Sequence, residues 1–180
     1  MTTAGDIIVH MSALPALVSV YEYLHTVYEP DCDYVDGALV ERNAGEKDHG
    51  SLQQEIWFHL RQRRREWGIF PIIEQRVQVS ASRYRVPDIC VVAGPAPSEQ
   101  IFTHPPFLCI EILSPEDRMS RLLQKIEDYL AFGVRYVWVI DPQTRRAWVH
   151  TAGVMHEVQD GILRTEQPNI QVPLNEIFAE

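Results

Sequence analysis

Two carboxylates stand inside short apolar runs of this 180-residue chain. One run reads Arg85-Val86-Pro87-Asp88-Ile89-Cys90-Val91-Val92. The other reads Phe107-Leu108-Cys109-Ile110-Glu111-Ile112-Leu113 and continues into Ser114-Pro115. Each run has the length and apolar content of a buried β-strand. An ionised acid there is costly unless it is paired or bound to a metal. Two such acids on neighbouring core strands could together hold one hard divalent cation, which prefers oxygen ligands. A metal-dependent hydrolase is therefore the first chemistry to weigh. The structural alternatives are a turn-capping aspartate at 88 and a core salt bridge at 111.

Other chemistries lack their signatures. The chain has no glycine-rich phosphate loop, no G-x-S-x-G elbow and no Cys-His pair at a known spacing. His10, His25, His104, His150 and His156 show no H-x-x-x-H spacing, so a zinc site is not expected. Cys32, Cys90 and Cys109 are odd in number and lack a C-x-x-C pair. Cys90 and Cys109 fall in the two core runs and read as small packing residues of a reduced protein. The net charge of −9 excludes a basic nucleic-acid coat protein, but it allows a local arginine patch. With no signal-peptide pattern and no long apolar stretch, a cytoplasmic protein without membrane contact is expected.

The elements that must position the acids can be read from period and punctuation. Residues 1–18 show no clear period and are expected to be loosely ordered, with one domain over 19–180. Ser19 and Glu22 form a capping box that starts a helix running to about Tyr28. Tyr34 to Glu41 reads as strand, Asp36-Gly37 turn, strand. A long helix is expected from about His49 to Trp67, with Leu52, Ile56, Leu60 and Trp67 as its buried stripe and Gly68 ending it. Strands follow at Ile72–Val79, Val86–Val92 and Phe107–Leu113. A second helix is expected from about Asp117 to Phe132, with Leu122, Leu123, Ile126 and Leu130 on its core face and Gly133 at its end. A strand over Arg135–Ile140 comes next. Short strands near 147–151, 155–158 and 162–165 read as a terminal meander. The tail from Pro168 is expected to be irregular, with a helical turn near Glu176. This order gives an α/β domain whose central sheet is covered by helices.

An ordered set of residues carries a family resemblance. Pro87-Asp88, Glu111-Ile112-Leu113-Ser114-Pro115, Lys125, Tyr129, Gly133-Val134 and Tyr136 to Pro142 occur in that sequence order. Tyr34 to Glu41 and His49-Gly50 precede them. Together they resemble the Uma2 family, also called DUF820, of the PD-(D/E)XK restriction-endonuclease-like superfamily, over about residues 19–150. The resemblance implies a restriction-endonuclease-like α/β fold: a central mixed β-sheet of four or five strands flanked by α-helices, here with a small C-terminal β-meander. It implies Mg²⁺- or Mn²⁺-dependent endonuclease action on DNA. Asp88 and Glu111 would ligate the metal with the backbone carbonyl of Ile112. The superfamily lysine usually stands two residues after the glutamate, where this chain has Leu113. Lys125, on the following helix, is the matching cation.

Further candidates follow from position. Many nucleases of the superfamily carry an acid on the first long helix, and Glu55 is the candidate here. His49 opens that helix as a base or substrate contact. Arg61, Arg64 and Arg65 face solvent by helical angle and could contact phosphates, whereas Arg63 falls near the apolar stripe. Gln75 could face the cleft. Cleavage of two strands by paired subunits makes a homodimer fit this reading, with Trp138 and Trp148 as candidate interface residues. The rival reading is a catalytically degenerate member of the fold, a nucleic-acid-binding or protein-interaction module. Leu113, Arg121 and the negative charge favour it. A hydrolase of another phosphate ester is a third reading.

Overall fold

The computed structural model describes residues 17–28, 31–42 and 46–178. The expectation of a loose N-terminus falls largely on residues 1–16, outside the described residues. Val18 is tied down: its amide donates to the Gly37 carbonyl and its own carbonyl accepts from the Tyr34 hydroxyl. The chain runs α1 (Val20–His25), β1 (Cys32–Val35), β2 (Ala38–Glu41), α2 (Lys47–Gln62), α3 (Arg64–Trp67), β3 (Ile69–Ile73), β4 (Val77–Ser80) and β5 (Arg83–Arg85). It continues with β6 (Ile89–Ala93), β7 (Leu108–Ile112), α4 (Met119–Phe132), β8 (Tyr136–Asp141), β9 (Arg146–Thr151), β10 (Val154–Glu157), β11 (Ile162–Arg164), β12 (Gln171–Pro173) and α5 (Leu174–Ile177).

Six strands form the central sheet in the order β10-β9-β8-β7-β6-β3. Its only parallel pair is β7 with β8, and α4 makes the crossover between them. Strand alternation divides the core. Leu108, Ile110 and Ile112 of β7 join Leu52, Ile56 and Leu60 of α2 on one face. Cys109 of β7 and Cys90 of β6 join Leu122, Ile126 and Tyr129 of α4 on the other. Glu111 is in phase with Cys109 and therefore faces α4.

A second sheet, ordered β2-β1-β5-β4, stands beside this one. The expected single strand over 72–79 is in fact split between the two sheets. Glu74 adopts φ 50°, a left-handed backbone that turns the chain out of β3 before β4 begins. β5 belongs to this sheet and was not anticipated from sequence, being only three residues long. Asp36 and Gly37 both take positive φ, which a tight two-residue hairpin turn requires.

Other elements also differ from expectation. α1 stops at His25 rather than near Tyr28. The first long helix breaks at Arg63 into α2 and α3, with Gly68 left-handed at the end. β9 and β10 extend the central sheet instead of forming a separate meander, while β11 pairs with β12 from the supposedly irregular tail. Trp138 is fully buried and cannot supply an interface. Among the described residues no helix is long and apolar enough to cross a membrane.

A buried ion cluster joins the second sheet to α4. Arg85 of β5 bonds Asp33 of β1 at 3.0 Å and Asp128 of α4 at 2.6 Å. Asp33 also accepts the Val86 amide at 2.9 Å. Both Arg85 and Asp33 are 2% exposed. Removing one partner of such a buried pair strands the other charge at a cost of about 3–5 kcal/mol. Arg85→Met should therefore lower the unfolding free energy measured in urea by that amount, and a loss under about 1 kcal/mol would contradict the cluster's role.

Candidate active site

The two acids open into one cleft of about 390 Å³ that Arg42, His49, Gln53 and Lys125 also line. Asp88 directly precedes β6 and is in phase with Cys90, so it shares the α4 side of the sheet with Glu111. Antiparallel pairing of Ile89 with Ile110 brings the two acids onto adjacent strands. Each is 4% exposed.

All four carboxylate oxygens have donors. Arg42 donates to Asp88 Oδ1 at 2.6 Å. The Ile112 amide donates to Asp88 Oδ2 at 2.8 Å, and His49 Nε2 lies 3.3 Å from the same oxygen. Lys125 Nζ donates to Glu111 Oε2 at 2.8 Å, and the Tyr129 hydroxyl donates to Oε1 at 2.7 Å. Lys125 and Tyr129 are one turn apart on α4, so a single helix face grips the glutamate. The backbone at Asp88 is fixed as well, its carbonyl accepting from the Gln53 side chain at 2.9 Å and the Glu74 amide at 3.1 Å.

This surrounding sets the charges. Burial pushes the Asp88 carboxyl up, but His49, Lys125 and Arg42 outweigh it and hold the group below its ordinary value. Burial, reinforced by the Asp88 charge, leaves Glu111 above its ordinary value despite Lys125. Lys125 is pushed down by burial yet raised overall by Glu111, Asp33 and Asp88, so its ammonium stays protonated. The hydrogen bond to Asp88 raises His49 against its own desolvation. Burial pushes the Cys90 and Cys109 thiols up, which removes them as nucleophiles.

The donor set suits a hard dication. Two carboxylates facing one cleft match the ligand count that Mg²⁺ uses when water and substrate phosphate complete its shell. A dication held by them would offset the burial and the Asp88 charge that raise Glu111. Among the described residues no group of three or more His, Cys, Asp or Glu side chains offers an all-protein cage.

Asp88, Glu111, Ile112, Lys125 and His49 thus converge on one cleft. Glu55 does not join them: it is exposed on α2, and the cleft is lined from that helix by His49, Gly50 and Gln53. Arg61, Arg64 and Arg65 line a separate pocket with Gly68, Phe70 and Gly94. Gln75 turns from the cleft to donate to the Arg76 and Gln100 carbonyls. Sequence reading missed Arg42, whose partners lie 32 and 46 positions away at Glu74 and Asp88. It also missed Gln53, although its spacing of four from His49 was a usable signal.

A model of the Uma2 family, described as "putative restriction endonuclease", matches residues 20–177. The chain belongs to the Uma2 family. Among solved structures, this Uma2 chain is similar to "a putative nuclease belonging to DUF820" from Anabaena variabilis ATCC 29413. The two share 20% identity and a TM-score of 0.80, over 90% of this chain and 98% of that one. At that identity the likeness speaks to fold, and the restriction-endonuclease-like α/β class expected from sequence holds. No curated protein matches the chain.

The His49–Asp88 contact has a pH signature. The folded value of His49 lies above its ordinary 6.5, so its contribution to stability is complete below about pH 6.5. That contribution is lost as pH rises through the raised value. His49→Gln should flatten this arm in urea unfolding from about pH 5 to about pH 9 in EDTA. An unchanged pH slope would contradict the contact.

Proposed function

We propose that this chain is an endonuclease that hydrolyses DNA phosphodiester bonds with Mg²⁺ or Mn²⁺ held at Asp88 and Glu111. The observation that carries the reading is the 2.8 Å contact between Lys125 and Glu111. Leu113 leaves the usual lysine position empty of charge, and α4 delivers an ammonium to the same carboxylate. Asp88 and Glu111, with the Ile112 backbone, would hold the ion, which supplies Lewis acidity and an activated water when bound.

The chain's own groups have separable tasks. Lys125 stays cationic, so it acts as a hydrogen-bond donor beside developing negative charge and not as a base. Tyr129 fixes the rotamer of Glu111 through its 2.7 Å hydrogen bond. Gln53 holds the Asp88 backbone in place. Arg42, which neutralises Asp88 at 2.6 Å, is placed to transfer its guanidinium to a substrate phosphate.

The same Arg42 contact favours the rival reading, a degenerate site in which arginine stands where the cation would bind. The two readings part on activity and on Arg42→Gln. In the nuclease reading, Mn²⁺-dependent cleavage of plasmid DNA falls by about 100-fold or more in Asp88→Asn and in Lys125→Met, with circular dichroism unchanged. Arg42→Gln binds Mn²⁺ more tightly in titration calorimetry, because a competing cation has gone. Undiminished cleavage by Asp88→Asn would overturn the assignment. A wild-type protein that neither cleaves DNA nor binds Mn²⁺ would establish the rival.

A further inference from the structure

We propose that Arg118 and Arg121 grip the sugar-phosphate backbone of DNA at the mouth of the cleft, so that the substrate enters along α4. This rests on the nuclease reading above and departs from the expectation that placed phosphate contacts on Arg61, Arg64 and Arg65.

Placement comes first. Arg118 caps the start of α4, and Arg121 lies in its first turn. Both line the cleft that holds Asp88 and Glu111. Spacings of three and four residues put Arg118, Arg121 and Lys125 on one side of the helix. The line runs inward from two exposed guanidiniums to the largely buried ammonium on Glu111.

Availability separates these two from the other cations of the cleft. Arg42 is engaged by Asp88 and Glu74, Arg85 by Asp33 and Asp128, and Lys125 by Glu111. Among the described residues neither Arg118 nor Arg121 has a carboxylate within ion-pair distance. Their position is also unfavourable for the helix itself. The start of an α-helix attracts anions and repels cations, yet the first turn of α4 contains no acid. The stability of α4 does not account for two arginines there that lack an ion pair among the described residues. An external anion would explain them.

The rest of the cleft gives the approach a direction. Asp31 and Glu41 line it from the side of the second sheet, with Glu74 at the turn between β3 and β4, and present negative charge to a polyanion. Glu116 and Asp117 stand near the arginines, and Asp117 is tied into its turn by the Ser114 amide at 2.7 Å. Since the chain carries a net charge of −9, a phosphate backbone must be received by a local cationic edge. Guanidiniums suit that role because their fork matches phosphate oxygens. Arg64 and Arg65 line a different pocket and serve as an internal control.

The test is fluorescence anisotropy of a fluorescein-labelled DNA duplex in Ca²⁺, across a salt series. It compares wild type, Arg118→Gln/Arg121→Gln and Arg64→Gln/Arg65→Gln, with melting temperature and Mn²⁺ affinity measured on each. Arg118→Gln/Arg121→Gln should lose about tenfold or more in affinity, and the slope of log K against log salt should fall by about 2. Its Mn²⁺ affinity should stay at the wild-type value and its melting temperature should not fall, since two cations leave the start of α4, and Arg64→Gln/Arg65→Gln should bind as wild type. Wild-type affinity and slope in Arg118→Gln/Arg121→Gln would overturn this route while leaving the nuclease reading intact. A loss confined to Arg64→Gln/Arg65→Gln would do the same. A wild-type protein with no affinity for duplex DNA at low salt would sink both.

Discussion

The cleft depends on two buried carboxylates, Asp88 and Glu111, each held against a cation. Asp88, Glu111 and the neighbouring Asp33 are almost without solvent, and burial pushes the carboxyls of Asp88 and Glu111 up. Arg85, Arg42 and Lys125 supply the opposing charge, and Lys125 lies 3.9 Å from Asp33 as well as 2.8 Å from Glu111. The network crosses every layer that shapes the cleft. It takes Asp33 and Arg85 from the second sheet, Asp88 and Glu111 from the central sheet, and Lys125 with Asp128 from α4. Buried ion pairs are not an efficient source of stability, since desolvation offsets most of the Coulomb gain. A network kept at that cost, beside an open cavity, supports the proposed nuclease reading, in which the charges must be fixed in place.

In the proposed nuclease, the same constraint would account for Leu113. A lysine two residues after Glu111 would lie on the same strand face and approach the carboxylate from within the sheet. Lys125 approaches from the helix above, one turn from Tyr129, and meets the opposite oxygen from the one Tyr129 holds. On that reading the charge is defined by position in space, so a covering helix can deliver it as well as the strand can. Leu113 is left to pack with the apolar residues beneath α4.

Much of this was legible in the sequence where the signal was local. Strand alternation put Glu111 in phase with Cys109, helical spacing put Lys125 beside Tyr129, and Ser19 caps α1 through the Glu22 amide at 3.1 Å. The failures came from long-range partners and fine phase. Arg42 and Arg85 look like ordinary polar residues until the two sheets meet, because their acids are distant in the chain. Glu55 was misplaced by the width of a helix face: Leu52, Ile56 and Leu60 bury one stripe of α2, and it is His49 and Gln53 that flank it on the cleft side. The strand over 72–79 looked continuous by composition, and only the left-handed backbone at Glu74 breaks it.

The central claim is that this neutralised cluster is a divalent-cation site. Anomalous diffraction from crystals soaked in Mn²⁺ tests it most directly. The account predicts one strong peak bridging Asp88 and Glu111, with Lys125 alongside and Arg42 withdrawn from Asp88. A map with no peak between the two carboxylates, and Arg42 still seated on Asp88, would contradict it.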